Sequence, residues 1–283
     1  MEKLIIALIQ LDSTSHRDDN FKRIEKLVSR AAAGGARLVA LPEFSGDIRP
    51  ADSPQWSEDL AGPTATFLSA LARRHGLWIH GGSFRESNSP RPPFNTSVFI
   101  DPAGQIRAIY RKIHLFDVEI TEGPSFTESD HTSAGEKIVV HQSGLGVFGF
   151  SICYDLRFPE MFRLMALRGA QVIFVPANFT RATGQAHWEC LLRARAIENG
   201  CYIVAAAQCG LKPEYQAHGH SLVIDPWGTI VAELGDSEDV CLAEINIEIV
   251  SEARKKIPAL TNRREDVYCL TETGQPLRQV NPG

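Results

Sequence analysis

The chain has no Cys-x-x-Cys pair and no close Cys/His grouping with metal-ligand spacing; its six cysteines are scattered at 153, 190, 201, 209, 241 and 269. That excludes a zinc ribbon or finger. A disulfide framework is also excluded, because 283 residues can bury a large core without staples. Reduced thiols in a cytoplasmic compartment are the expectation. No apolar stretch approaches the roughly 20 residues of a membrane span. Met1-Glu2-Lys3-Leu4-Ile5-Ile6 is too short and acidic for a leader and reads as the first core strand. There is no run of Lys and Arg, and the net charge of −5 gives no footprint for nucleic acid or an anionic membrane surface. What remains is ordinary for a globular enzyme, with 43% hydrophobic and 22% charged residues.

Strand and helix patterns alternate along the chain. Lys3 to Leu11 is strand-like, and Phe21, Ile24, Leu27, Val28 and Ala31 then recur at helical spacing until Gly34-Gly35. Ala36 to Leu41 is a second buried strand that ends in Pro42-Glu43. Helix is predicted over Pro63 to His75 and strand over Leu77 to Phe84. A hairpin follows, turning at Asp101-Pro102-Ala103-Gly104 and running on to Lys112. Residues 117–136 read as a long loop. A second hairpin, Lys137–His141 into Val147–Cys153, precedes helix over Phe158 to Arg168, strand over Gln171 to Pro176, and helix over Gln185 to Asn199 with Thr183 as a candidate cap. Strands at Cys201–Ala207, Ser221–Asp225, Thr229–Leu234 and Val240–Ile245 and a helix at Glu248–Lys256 complete the pattern. Asp225-Pro226-Trp227-Gly228 repeats the earlier turn, a hint of internal pseudo-symmetry. No linker divides the chain, so one α/β domain with two sheets and outer helices is expected over 1–268, with a tail at 269–283.

The chemistry centres on residues 145–160. An apolar run stops at Cys153, and Pro159 suits the first turn of the next helix. This puts Cys153 on a strand-to-helix turn, with its thiol toward solvent and a helix N-terminus favouring the thiolate. Glu43 and Lys112 close strands in the same way. Separately they read as a loop acid, an edge lysine and a core thiol. Together they meet the needs of amide cleavage through a thiol. Glu43 would move the proton, Cys153 would attack, and Lys112 with the Tyr154 backbone N–H would meet the oxyanion.

Leu41-Pro42-Glu43-Phe44, Arg111-Lys112-Ile113-His114-Leu115-Phe116 and Cys153-Tyr154-Asp155-Leu156-Arg157-Phe158-Pro159-Glu160 resemble, in order, the three signatures of the nitrilase (carbon–nitrogen hydrolase) superfamily. The resemblance implies a four-layer α-β-β-α sandwich, dimers that extend it to eight layers, a Glu–Lys–Cys centre, and no metal or cofactor. It also implies a second glutamate that helps hold the lysine and substrate. Ser125-Phe126-Thr127-Glu128 assigns this role to Glu128, with Glu122 the competing choice.

Lys112 to Ile120, Ala186-His187-Trp188-Glu189 and Arg193 to Asn199 look like the Nit branch. Cys201 to Gly210 and Gly219-His220-Ser221 are similar to its members that hydrolyse deaminated glutathione to 2-oxoglutarate and cysteinylglycine. The resemblance therefore implies an amidase acting on the linear amide of a small 2-oxo acid. An ω-amidase for 2-oxoglutaramate is the alternative, with carbamoyl or nitrile hydrolysis and a non-catalytic scaffold behind it. Gln185 stands where Pro is expected before Ala-His-Trp-Glu. An anionic substrate wants cationic or N–H donors, which makes Arg181, Thr183, Asn178 and Phe179 candidate contacts. His187 and Trp188 are expected in the site wall or a subunit contact, and Arg193 and Arg195 in pairs with acids at a helix interface. A Cys–His centre using His114 or His187 is the remaining option. The expected partners are a small-molecule amide and further copies of the chain, with neither nucleic acid nor membrane.

Overall fold

Alternation along the first strand sets the layering. The computed structural model describes residues 3–49, 56–119 and 125–273. In β1 (Leu4–Gln10), Leu4, Ile6 and Leu8 enter one apolar cluster, and Ala7 and Ile9 enter another. A period of two sends these sets to opposite faces, and both faces are buried. The outer face meets α1 (Arg17–Ala33) and, after β2 (Leu38–Ala40), α2 (Pro63–His75). Ile24, Leu27, Val28 and Ala31 of α1 face it at intervals of three and four, as do Ala65, Leu68 and Leu71 of α2.

The sheet continues through β3 (Trp78–His80), β4 (Phe84–Asn88), β5 (Arg91–Ile100) and β6 (Ile106–Arg111). A short ribbon pairs β7 (Asp117–Val118) with β8 (Phe126–Thr127). The second half comprises β9 (Val140–Ser143), β10 (Gly146–Phe150), α3 (Pro159–Leu167), β11 (Val172–Phe174) and α4 (Arg181–Asn199). It continues with β12 (Tyr202–Ala205), β13 (Leu222–Ile224) and β14 (Ile230–Glu233). β15 (Asp239–Ile245) returns to pair with β1, and α5 (Glu248–Lys256) follows.

The first sheet has the order β15-β1-β2-β3-β5-β4 with β6 on β5, and the second β14-β13-β12-β11-β10-β9. Three parallel strands lead into two antiparallel ones in each: β1, β2, β3, β5, β6 and then β10, β11, β12, β13, β14. The Asp-Pro-x-Gly turns occupy matching places. Asp101 Oδ1 accepts from the Ala103 and Gln105 N–H groups, and Asp225 Oδ1 from those of Trp227 and Thr229. The pseudo-symmetry hinted at by two tetrapeptides is thus present in the strand pairing. Between the sheets, the rings of Phe99, Phe148, Phe150 and Phe174 stand 5.2–5.9 Å apart. Gly149 points the other way, onto Met165 of α3. Trp188, Leu192 and Ala196 of α4 are buried too, which completes the α-β-β-α sandwich.

Two expectations shift. The strand expected over Leu77–Phe84 breaks after His80, because Gly81-Gly82 passes so close to Pro42 that Gly82 (φ +65°) has no room for a Cβ. The last helix before β12 starts at Arg181 and not Gln185, since the Thr180 side chain caps it by accepting from the Thr183 N–H at 3.3 Å. Thr183 lies inside that first turn and is not the cap. The tail beyond residue 273 lies outside the described residues.

His80 is fully buried between the sheets, stacked on Phe174 at 4.4 Å, with Nε2 3.0 Å from Ser97 Oγ. Burial pushes its pKa down to about 3. The unfolded chain takes up this proton below about pH 6.5 while the folded chain refuses it. Stability linked to His80 is therefore full above pH 6.5 and erodes toward pH 3, at about 1.4 kcal/mol per unit. Urea unfolding of native protein and a His80→Gln variant from pH 7 to 4 should show this extra slope in the native protein alone. Parallel curves would contradict it.

Candidate active site

Glu43, Lys112 and Cys153 each follow the C-terminal end of a strand, β2, β6 and β10 respectively. Cys153 is held at φ +51°, and Phe44, just after Glu43, at φ +52°. Such left-handed backbone costs an L-residue on the order of 1 kcal/mol and persists only where surroundings enforce it. The Cys153 N–H donates to the Pro176 carbonyl at 2.9 Å. The Phe44 N–H donates to Ser83 Oγ at 3.1 Å, and Gln208 Nε2 donates to the Glu43 carbonyl at 2.9 Å. Both sharp turns are pinned by the opposite half of the fold or by the next strand.

The three side chains converge with Glu128. Lys112 Nζ lies 3.2 Å from Glu43 Oε1 and 2.7 Å from Glu128 Oε2. Asn95 Nδ2 donates to Glu43 Oε1 at 2.9 Å and to Glu128 Oε1 at 3.4 Å, and the Phe116 N–H donates to Glu128 Oε2 at 2.7 Å. Glu43 and Lys112 are 3% and 2% exposed, so the ammonium has exchanged water for two carboxylates. Burial alone would lower the Lys112 pKa, but Glu128 and Glu43 more than offset it and hold the ammonium well above its ordinary range.

Cys153 is buried, not turned to solvent, and the element after it is a 3-10 turn, Cys153–Arg157, not an α-helix. Burial and then the negative Glu43 push its thiol well above the usual value, while Lys112 pulls the other way. Lys112 and the Asn178 backbone act to lower its pKa, and Glu43 to raise it. Burial and the facing carboxylate therefore outweigh the pull toward thiolate that a following helix end suggested. The direction favours a thiol, with the Glu43 carboxylate among the groups acting on it.

A buried Asp155 ties this turn to the Lys112 segment. Its Oδ2 accepts from the Tyr110 hydroxyl at 2.6 Å and the Ile152 N–H at 2.8 Å. Its Oδ1 accepts from the His114 N–H at 3.0 Å and lies 2.7 Å from the ring Nδ1. One carboxylate thus fixes the strand ends that carry Lys112 and Cys153. The role of Asp155 was missed in the sequence, although it sits in the quoted signature. Asn95 and Gln208 carry no comparable signal, being polar residues within strand-like runs.

Glu43, Lys112, Glu128 and Cys153 line a cavity of about 380 Å³. Tyr154, Asn178, Phe179 and Thr183, all expected contacts, line it too. Arg181 does not; it is exposed on the first turn of α4 and points away from the lining set. The cavity's cations are Arg49, Arg85 and Arg157 with Lys112, none of the arginines having been singled out from sequence. Tyr215 and Phe126, in edge-on contact at 5.7 Å, also contribute to the wall. Glu122, the competing choice for the second glutamate, lies outside the described residues. Neither histidine of the Cys–His option lines the cavity. His114 is engaged by Asp155 and stacks on Phe158, and His187 is exposed beside Arg157. Arg193 and Arg195 do pair with acids, but with Glu189 and Glu198 of their own helix and not across a helix interface, and Trp188 is buried with Nε1 donating to the His220 carbonyl.

Comparison with known proteins agrees with this geometry. The carbon-nitrogen hydrolase family model matches residues 5–255. A deaminated glutathione amidase of Synechocystis is 40% identical over 269 residues, covering 93% of this chain and 99% of that one. An omega-amidase of Xenopus tropicalis is 36% identical over 274 residues, covering 96% and 99%. The crystal structure of Saccharomyces cerevisiae Nit3, a member of branch 10 of the nitrilase superfamily, superposes with a TM-score of 0.81 at 32% identity, covering 93% of this chain and 97% of that one. No helix among the described residues is long and apolar enough to cross a membrane. By its strand order, its Glu–Lys–Cys signatures and these matches, the chain belongs to the carbon–nitrogen hydrolase (nitrilase) family.

Proposed function

We propose that the protein hydrolyses the terminal amide of a small 2-oxo acid, with deaminated glutathione as its substrate. The observation that carries this reading is the buried ion pair of Lys112 with Glu43 and Glu128 beside the Cys153 thiol, at the wall of one cavity. Glu43 takes the thiol proton as sulfur attacks the amide carbon. The oxyanion that forms faces the Lys112 ammonium and the Tyr154 backbone N–H. Collapse breaks the C–N bond, and Glu43 returns the proton to the departing nitrogen. Water then attacks the Cys153 thioester while Glu43 accepts its proton. The second collapse releases the carboxylic acid, and Glu43 reprotonates the sulfur. Glu128 and Asn95 position Lys112 and Glu43 in every step.

The 2-oxo acid preference rests on the relatives and on the cationic cavity. Arg157 lies against the Tyr154 and Phe179 rings, and Thr183 also lines the cavity, donors suited to an anionic acyl end. A homo-oligomer belongs to the same reading, and exposed Ile197, Trp227 and Ile257, gathered around the end of α4 and α5, supply apolar surface for it. So does a cytoplasmic setting, with six free cysteines.

Two outcomes test the reading. kcat/KM for deaminated glutathione should exceed that for 2-oxoglutaramate, and Cys153→Ala should abolish both with the unfolding curve unchanged. A reversed preference would make the protein an ω-amidase, and unaffected turnover in Cys153→Ala would remove the thiol mechanism. Thiolate absorbance, taken as native minus Cys153→Ala, should stay flat up to pH 9.0, since the Cys153 pKa lies well above that value. A rise near neutrality would contradict a thiol at rest.

A further inference from the structure

Arg85, in β4, lines the cavity on the Glu43 side. Its guanidinium carbon lies 4.3 Å from the centroid of the Phe44 ring, the residue after Glu43. Asp47, Glu128 and Glu43 all favour its charge, while burial opposes it. Its side chain makes no hydrogen bond or ion pair to a described residue; Nη1 is itself closed off, so a ligand would meet the guanidinium by the edge that lines the cavity. Neighbouring Arg49 differs, because its Nε already donates to Asp47 Oδ2 at 2.7 Å. A desolvated guanidinium with an idle donor is costly unless an acceptor arrives. The acceptor that matches its planar fork is a carboxylate.

The chemistry at Cys153 says which end of the substrate would carry it. In the proposed reaction the acyl carbon meets sulfur, the oxyanion meets Lys112, and the leaving nitrogen meets Glu43, which protonates it. Arg85, on the Phe44 ring beside Glu43, is therefore on the leaving-group side. Arg157 is on the other flank, over Tyr154 and Phe179. We propose that Arg85 and Phe44 form a subsite for a carboxylate carried by the leaving amine. The preferred leaving group is then an amino acid or dipeptide with a free C-terminus, which extends about 7 Å for two residues. Ammonia, the leaving group of a primary amide, has nothing to place there. The subsite rests on the amidase reading above and deepens it, since it selects a peptide-like amide over 2-oxoglutaramate.

The alternative is that Arg85 only supports the charges of Glu43 and Glu128, which would affect every substrate alike. Three substrates with the same 2-oxoglutaryl acyl group separate these ideas. Their leaving groups are cysteinylglycine, cysteinylglycine capped as its C-terminal carboxamide, and ammonia. Native enzyme should favour the carboxylate over its carboxamide by about 100-fold in kcat/KM. In Arg85→Met that ratio should fall to within about threefold, and Arg85→Lys should retain an intermediate ratio. Because the ratio is taken within one variant, a general loss of activity cancels. A native ratio near one would overturn the subsite, as would an Arg85→Met variant that loses both rates but keeps the ratio. Cleavage of the primary amide alone would overturn the subsite and leave the 2-oxo acid reading standing. No cleavage of any of the three would remove that reading, and the subsite with it.

Discussion

A single ammonium, Lys112 Nζ, holds the centre together. It lies within 3.2 Å of Glu43 and 2.7 Å of Glu128, in a place where water has almost no access. Two carboxylates sharing one ammonium, Glu43 buried and Glu128 partly so, repel each other unless a cation stands between them. Asn95 spans the same pair and adds neutral donors. The ion pair therefore fixes the glutamates, and the placement of Cys153 beside Glu43 follows from what they need. Removing any one charge leaves the others uncompensated, so the group behaves as a unit and not as a sum of contacts.

The sandwich exists, in effect, to bring three strand ends to one place. β2 and β6 come from one sheet and β10 from the other, and the packed Phe99–Phe148–Phe150–Phe174 layer fixes the distance between the sheets. Asp155 then locks the two halves locally, accepting from Tyr110 and His114 on one side and Ile152 on the other. Catalytic precision here comes from buried polar ties laid across an apolar interface. Those ties also hold the left-handed backbone of Cys153 and Phe44 in place.

Much of this was legible in the sequence, for identifiable reasons. Strand periodicity and glycine stops located nearly every element, because each element buries a face that its own pattern defines. Glu43, Lys112 and Cys153 stood out because chemistry-bearing residues ended apolar runs. The supporting groups did not stand out. Asn95 sits inside a strand, Arg85 beside a glycine turn and Tyr215 in a loop, and only the pairing of distant segments brings Asn95 to Glu43 and the other two to the cavity. Only part of what acts on the Cys153 thiol could be read, for a related reason. A helix N-terminus is visible locally, whereas desolvation and a facing carboxylate from a strand 110 residues earlier in the chain (153 less 43) are not. Arg181 was misplaced similarly, since it opens the helix after the Thr180 cap, where it is exposed and does not line the cavity.

The measurement that tests the account most directly is the infrared carboxyl spectrum of a Lys112→Met variant at neutral pH, taken against the native protein. Without the ammonium, Glu43 and Glu128 cannot both stay ionised, so the variant should show a band from one protonated carboxyl group that the native protein lacks, together with loss of turnover. A variant with no such band, folded and with both glutamates ionised, would contradict the claim that Lys112 holds this centre together.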